Sequence, residues 1–436
     1  MTQIYDCIVV GAGPAGAAAA HTLGGSGVST LLLERGEFPG AKNMFGGAIY
    51  REPTQIIIPN FVETAPVERN IVSDELWMME TDSAVKVGFT GLRFAEPPYN
   101  KFSVLRPRFD KWFADCAVER GAKLRNNALV RKLLYEKRPL GRRGPVTGVQ
   151  LDGGEEIRSS CVILAEGVNA FLTKQAGLRG VIPAHALTLY VKEVLNLPEH
   201  KIEERFSLQP GHGAIVGMLG WSTAGIVGKA GVWTNKDSLS IIVGGYLNQI
   251  VESRLSPYHL LQRLKEHPMV KRLIQGAKVE EYMAHLIPKG GYNYQPKMFG
   301  DGVLVAGDAA VMVSGRRGTD LAMISGKLAA ETVIHAKAKG DFREAMLSNY
   351  KHKLDDTFFM KDIQTRQNSL RYFKNYRDSD FLIASTANKV AYEFFSEDMA
   401  TGLEKMTKLK QVVTHQQHAI KSLSDIYQAI RFWGPL

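Results

Sequence analysis

Cysteine is scarce in this chain: three in 436 residues, Cys7, Cys116 and Cys161, with none beyond position 161. They are spaced too widely for CxxC pairs and are too few to ligate an iron–sulfur cluster unaided. Long apolar runs are also missing. No stretch approaches the roughly eighteen apolar residues that a bilayer-spanning helix needs, and the N-terminus enters an apolar strand without a basic leader. Neither a transmembrane helix nor a signal peptide is expected, which points to the cytoplasm. Charge of one sign is not strongly dominant: 54 Lys and Arg against 44 Asp and Glu leave a net +10 spread over the chain, as a solvated basic face would. Repeats and low-complexity tracts are absent. With 45% hydrophobic and 22% charged residues, the composition is that of an ordinary globular protein of two or three domains, and excludes disordered, collagen-like and multi-span membrane classes.

What is present begins at once. Residues 4–10, IYDCIVV, read as a buried parallel strand, followed by Gly11-Ala12-Gly13-Pro14-Ala15-Gly16 and an alanine-rich helix to about Leu23. A second strand, 28–33, ends at Glu34, eighteen residues past Gly16, the spacing of the acid that grips a dinucleotide ribose. Gly11 permits the tight turn, Gly13 leaves space for a pyrophosphate, and Gly16 allows close helix–strand packing. The helix N-terminus offers N–H groups and partial positive charge. A carboxylate at Glu34 accepts from ribose hydroxyls and repels a 2′-phosphate. An ordinary glycine turn is the alternative, but the flanking strand, helix, second strand and acid all agree against it.

This unit alone does not separate NAD from FAD. Residues 303–310, VLVAGDAA, repeat the logic nearly three hundred positions later: an apolar strand ends in Gly307-Asp308, and a glycine-containing stretch leads into a helix around 320–334. Gly307 allows close approach and Asp308 suits a polyol, which NAD lacks; an Asp N-cap is the plain alternative. The segment 314–320, SGRRGTD, precedes that helix, whose N–H groups could face a flavin pyrimidine and stabilise developing negative charge.

These pieces resemble FAD-binding proteins of the glutathione-reductase-like superfamily. Residues 105–113, LRPRFDKWF, followed by Glu119-Arg120-Gly121-Ala122, are similar to the arginine-bearing strand and helix of the branch containing geranylgeranyl reductases and electron-transfer flavoprotein dehydrogenases. The strand 162–165 ending in Glu166-Gly167 is like that branch's internal crossing beside the cofactor. Residues 189–194, 243–247, the His267-Pro268 helix and 284–291 resemble the FixC type of electron transfer flavoprotein–quinone oxidoreductase, a similarity running from residue 1 to about 340. A prenyl reductase would show Tyr-x-Trp-x-Phe-Pro where this chain reads His285-Leu286-Ile287-Pro288-Lys289-Gly290-Gly291.

The resemblance implies FAD as cofactor, held by Gly11, Gly13, Ala15, Gly16, Glu34, Arg35, Gly47, Arg106, Val130, Gly167, Gly307, Asp308 and Gly318, with no catalytic side chain and no metal. It implies electron transfer flavoprotein alpha and beta subunits as partners and a membrane quinone as acceptor. Because the mitochondrial-type enzyme carries its cluster in a C-terminal domain and this chain lacks the cysteines, it also implies a separate small ferredoxin-like subunit. The wider assembly would bifurcate electrons, its bifurcating flavin residing in the partner. The alternatives are an NAD(P)H-dependent prenyl-lipid reductase or aromatic hydroxylase, and a flavoprotein scaffold with a structural flavin.

The expected fold is α/β: a discontinuous Rossmann-like FAD domain from 1–60, 100–180 and 280–340, a strand-rich α+β substrate or quinone lobe from 61–99 and 181–279, and a helical partner-docking region from 341–436, for which a plain stabilising helical cap is the alternative. Residues 121–143 hold eight basic residues against Glu136, either a patch for an acidic partner or anionic lipid or a basic β-hairpin with no partner, without the interleaved aromatics that would suit nucleic acid. Ile56–Val62 or Tyr292–Tyr294 could form an apolar mouth for quinone, which would put the protein on the inner face of the cell membrane; core packing is the more common use of such residues. His21 and His285 read as structural or solvated rather than as proton shuttles.

Overall fold

The structure is a computed structural model that describes residues 4–43, 45–139, 143–366, 379–416 and 427. The chain divides into two compact units. The first comprises Met1–Val67, Val104–Pro183 and Ile287–Gln367; the second comprises Glu68–Ser103, Ala184–Leu286 and Asn368–Leu436.

The first unit is built on a parallel sheet. Taken across the sheet, its strands are Lys123–Arg125, Thr30–Leu33, Ile4–Val10, Glu156–Leu164 and Val303–Val305. In chain order this is 3-2-1-4-5, the doubly wound arrangement of dinucleotide-binding folds. Side-chain alternation decides what each strand buries. Cys7, Val9, Leu32, Cys161 and Ile163 face one way, into an alanine-rich core formed with the helices Pro14–Gly24 and Thr319–Lys339. Ile8, Val10, Leu31, Leu33, Val162 and Leu164 face the other, onto an antiparallel meander of Val130–Lys137 and Arg143–Leu151. Cys7 and Cys161 lie opposite each other on neighbouring strands, both fully buried as free thiols, and serve there as small apolar residues.

The first helix and the long helix Thr319–Lys339 pack with their backbones nearly in contact. A Cβ at Gly326 would lie 1.9 Å from the Ala15 carbonyl oxygen. The arginine helix, Arg106–Glu119, covers the same side of the sheet and contributes Ala114 and Ala117 to this core.

The second unit is dominated by one sheet, ordered Lys278–Pro288, Leu187–Asn196, Ser238–Tyr246, Gly228–Thr234, His212–Gly220, Val67–Met79 and Lys101–Val104. All the neighbours with a recorded register are antiparallel except His212–Gly220 with Val67–Met79. The helices Pro257–Glu266 and Pro268–Ile274 complete its core through Leu260, Leu261, Leu264, Val270 and Leu273. The helix Ser379–Phe395 lies in this unit, where Asn388 Nδ2 donates to the Met78 carbonyl oxygen at 2.8 Å.

Three sequence expectations change. The region 341–436 is not one helical extension: Tyr350, Leu354, Phe359, Met360 and Ile363 are buried in the core of the first unit, while the helices from Ser379 onward belong to the second. The apolar run Ile56–Val62 takes its core-packing alternative rather than that of a surface mouth, because Ile57, Ile58 and Phe61 are buried and only Ile56 stands well exposed among its large side chains, at 59%. The basic patch at 121–143 is partly neutralised, since Arg125 forms a bidentate pair with Glu155 at 2.7 Å and Arg131 pairs with Asp152 at 2.6 Å. Leu140, Gly141 and Arg142 of that patch lie outside the described residues.

Candidate functional site

In a doubly wound sheet the ligand crevice opens at the carboxyl ends of the strands where the order reverses, here between Ile4–Val10 and Glu156–Leu164. The glycine loop sits there. Gly11 has φ +98°, and a Cβ on it would lie 2.4 Å from the Ala165 carbonyl oxygen, so the loop hugs the neighbouring strand's exit. Gly16 would place a Cβ 1.8 Å from the Gly11 carbonyl oxygen. Gly13 differs from both: a Cβ there would meet nothing within 4 Å. Open space at the N-terminus of the helix Pro14–Gly24 is what an anion needs in order to reach its N–H groups.

Glu34 is nine-tenths buried. Its Oε2 accepts from Ala12 N–H at 3.0 Å and its Oε1 from Gly36 N–H at 2.7 Å. The acid therefore ties the end of the second strand to the glycine loop, a scaffolding role the spacing did not suggest, and each oxygen keeps accepting capacity for a hydroxyl. Arg35 is exposed, and Val130 is buried in the core beneath the meander.

The second signature meets the first. Gly307, at φ +67°, donates its N–H to Ser325 Oγ at 2.9 Å, and a Cβ on it would lie 2.9 Å from the Ala15 methyl group. Ala15 therefore packs its side chain against Gly307 and its backbone against Gly326. Gly318 precedes the long helix at its N-cap position, its carbonyl accepting from Ala322 N–H at 2.8 Å. Ser314 and Arg317 exchange backbone hydrogen bonds at 2.9 and 3.0 Å just before it.

Asp308 follows Gly307 in a short turn, and its carboxylate receives no hydrogen bond from the described residues. Burial pushes the Asp308 carboxyl up to about 6, while the cations Arg106, Lys289 and Arg179 pull it down. Lys289 donates to the Gly315 carbonyl oxygen at 2.5 Å, and burial lowers its ammonium to about 8. Arg179 donates to the Ala309 carbonyl oxygen at 3.1 Å. Arg106 grips Asp110 bidentately, both bonds at 2.7 Å, and also donates to the Phe45 carbonyl oxygen at 2.5 Å. It thus lies within electrostatic reach of Asp308, as a fixed charge held by its own helix. Burial raises Asp110 despite that pairing.

Gly46, not Gly47, is the glycine the geometry requires beside Arg106. At φ +90° its Cβ would stand 2.9 Å from Thr319 Oγ1 and 3.0 Å from Arg106 Nη1, whereas Gly47 offers its carbonyl to Val104 N–H at 3.0 Å. Gly167 has φ +72° and open space around a Cβ. Its neighbour Glu166 accepts from Leu172 N–H, Thr173 N–H and Thr173 Oγ at 2.7–2.9 Å, capping the helix Phe171–Gln175.

Three buried polar atoms around this crevice have no partner among the described residues: Arg179 Nε, Ser314 Oγ and Asp320 Oδ1. A buried polar atom without a partner calls for an explanation, and a polar ligand in the crevice would supply one here. With the open cradle at Gly13, they fit a long dinucleotide that reaches from the glycine loop to the Asp308 turn. Arg179 and Lys289 were not singled out as site residues in the sequence. Lys289 sits in the Pro-Lys-Gly-Gly run at 288–291, but no spacing rule leads to either.

Residues 9–59 match the NAD(P)-binding Rossmann-like domain family. Over 99% of both chains, the sequence is 38% identical to Protein FixC of Azotobacter vinelandii. It is 39% identical to Protein FixC of Escherichia coli O157:H7 over 81% of this chain and 82% of that one. The chain belongs to the FixC family. Solved structures extend the fold assignment beyond FixC. A geranylgeranyl bacteriochlorophyll reductase-like protein of Thermoplasma acidophilum superposes with TM-score 0.66 at 18% identity, covering 98% of this chain and 96% of that one. The flavin-dependent brominase Bmp2 superposes with TM-score 0.63 at 18% identity, over 98% and 100%.

Proposed function

We propose that this FixC-family chain is an FAD-dependent oxidoreductase that receives electrons from an electron transfer flavoprotein and delivers them to a membrane quinone. The electrons arrive directly or through a small ferredoxin-like iron–sulfur subunit. The observation that carries the reading is the packing of Gly307 against Ala15, which joins the Asp308 turn to the glycine loop within one unit. A nicotinamide dinucleotide needs only the loop; FAD, with its ribityl chain, uses both.

Bound there, FAD supplies the redox chemistry. The chain supplies position and charge. Gly13 leaves room for the pyrophosphate, Glu34 would accept from ribose hydroxyls, and Asp308 would accept from the ribityl chain. Ser314 and Arg179 bring orphaned donors, and the N-terminus of the long helix favours negative charge. No protein acid or base is required. In this reading the chain is the quinone-reducing arm of an electron-bifurcating complex, working at the inner face of the cell membrane.

The test is reconstitution. Purified chain loaded with FAD should be bleached by reduced partner flavoprotein and recover its yellow colour on addition of menadione. Failure to reduce menadione under those conditions overturns the assignment. Rapid bleaching by NAD(P)H alone followed by reduction of a prenyl lipid would replace it with the reductase alternative, and complex turnover that survives flavin removal would replace it with the scaffold.

A further inference from the structure

A cavity of about 470 Å³ opens in the first unit between the carboxyl-terminal part of the helix Pro14–Gly24, the helix Arg106–Glu119 and the segment 58–64. Its size falls among small-molecule sites. None of the residues assigned above to FAD lines it. His21, which does, lies seven residues into the first helix, about 10 Å along the axis from the glycine-loop end.

His21 is only 7% exposed, lines this cavity, and has no hydrogen-bond partner among the described residues. Its ring contact is with Phe113, centroids 6.4 Å apart. Its ring nitrogens are not among the fully buried orphan atoms of the described residues, so they remain accessible from the cavity, where a ligand can reach them. Burial, helped by the Arg120 charge, lowers the imidazole to about 4, so at neutral pH it offers one donor and one acceptor nitrogen without charge.

The facing helix turns Trp112, Asp115, Cys116 and Glu119 toward the same space, while Phe109, Phe113 and Ala117 go to the core. Trp112 stacks on Phe113 at 6.1 Å with a 28° interplanar angle, which fixes the indole. Burial pushes the Cys116 thiol up to about 11, so it stays an uncharged wall group. At the exposed rim, Asp115 and Glu119 bring two negative charges against the one positive charge of Arg120. An indole face beside two carboxylates attracts a cation and disfavours an anion.

We propose that this cavity is a binding site for a small aromatic amine, its ring against Trp112, its ammonium toward Asp115 and Glu119, and a ring N–H donated to His21. The site is independent of the flavin reading and stands whether or not that reading holds.

Titration calorimetry on the FAD-loaded chain tests it, with tryptamine as the probe and indole-3-acetate as its anionic counterpart. Tryptamine should bind saturably at one site, at least about tenfold tighter than indole-3-acetate. The rim variant Asp115→Asn/Glu119→Gln, whose side chains are exposed, should keep its flavin content and melting temperature yet lose about tenfold in tryptamine affinity. His21→Leu should weaken tryptamine in the same direction. No saturation by tryptamine into the millimolar range overturns the proposal, as does equal affinity for the two probes or unchanged affinity in the rim variant.

Discussion

Gly13 and Gly16 stand three positions apart and carry opposite constraints. A methyl group at Gly16 would collide with the Gly11 carbonyl, whereas one at Gly13 would enter empty space. Gly16→Ala should therefore destabilise the apoprotein by on the order of 1–3 kcal/mol through overpacking. Gly13→Ala should leave apoprotein stability within about 1 kcal/mol and instead raise the FAD dissociation constant at least tenfold. Thermal melts of the apoprotein and fluorescence titration with FAD separate the two, and a Gly13→Ala variant with unchanged FAD affinity would remove the cofactor from this loop. Asp308 carries a pH signature. Its carboxyl sits at about 6 when folded against an ordinary value of 3.8, so the folded chain binds the extra proton between those values. Its contribution to stability is present below pH 4, falls as pH rises toward 6, and amounts to about 3 kcal/mol lost by pH 7. The difference in apoprotein stability between wild type and Asp308→Asn should grow with pH across that window and stay flat above it; a constant difference from pH 4 to 7 counts against the buried carboxyl. The glycines and Glu34 could be read from sequence because their spacing is local. Arg179 and Lys289 could not, because only the folded sheet carries them to Asp308, and neither lies in a motif whose spacing marks a ligand.

At the level of elements, the crossing of the first and long helices is what joins the two signatures. Gly326 should be intolerant for that reason. In an ordinary helix, Gly→Ala gains about 1 kcal/mol of propensity, but here the added methyl meets the Ala15 carbonyl at 1.9 Å. Backbone cannot yield as a side-chain tip can, so the clash outweighs the propensity. Gly326→Ala should lower the melting temperature and, by pushing Gly307 away from the glycine loop, weaken FAD binding as well; a melting temperature equal to or above wild type would show the helices free to separate. The strand at 4–10 and the end of the strand Glu156–Leu164, read as 162–165, were legible because apolar runs bounded by glycine turns suit a two-sided parallel sheet; the polar start of the latter was not. The run at 56–62 left two readings open because it is apolar: Ile57, Ile58 and Phe61 satisfy a core and a membrane surface equally well, and only packing shows that they take the core. Residues past 340 showed helical composition that suits a stabilising cap as well as a docking extension, but their sequence held nothing to say that Tyr350 and Phe359 complete the first unit's core while the helices from Ser379 go to the second.

For the molecule as a whole, the question is what holds it at a membrane if it delivers electrons to quinone. No helix among the described residues is long and apolar enough to cross one. The net charge of +10 suggests electrostatic adhesion, but the exposed apolar side chains lie elsewhere than the basic segment at 121–143. Tyr392, Phe394, Phe395, Met399, Leu403 and Met406, on and between the helices Ser379–Phe395 and Gly402–Gln416, are each more than half exposed, with Phe395 at 77% and Leu403 at 80%. Across 384–416, Lys389, Lys405, Lys408 and Lys410 are balanced by Glu393, Glu397, Asp398 and Glu404. Burial of each large apolar side chain contributes about 1.5–3 kcal/mol, whereas a neutral segment gains little from anionic headgroups, so insertion outweighs adhesion. The chain should float with neutral phosphatidylcholine vesicles nearly as well as with anionic ones and resist high salt. Phe394→Ser/Phe395→Ser should lose several-fold in flotation while keeping bound flavin. Flotation that requires anionic lipid and disappears in salt would transfer the role to the basic surface, and flotation untouched by the double substitution would remove this helix pair from the membrane.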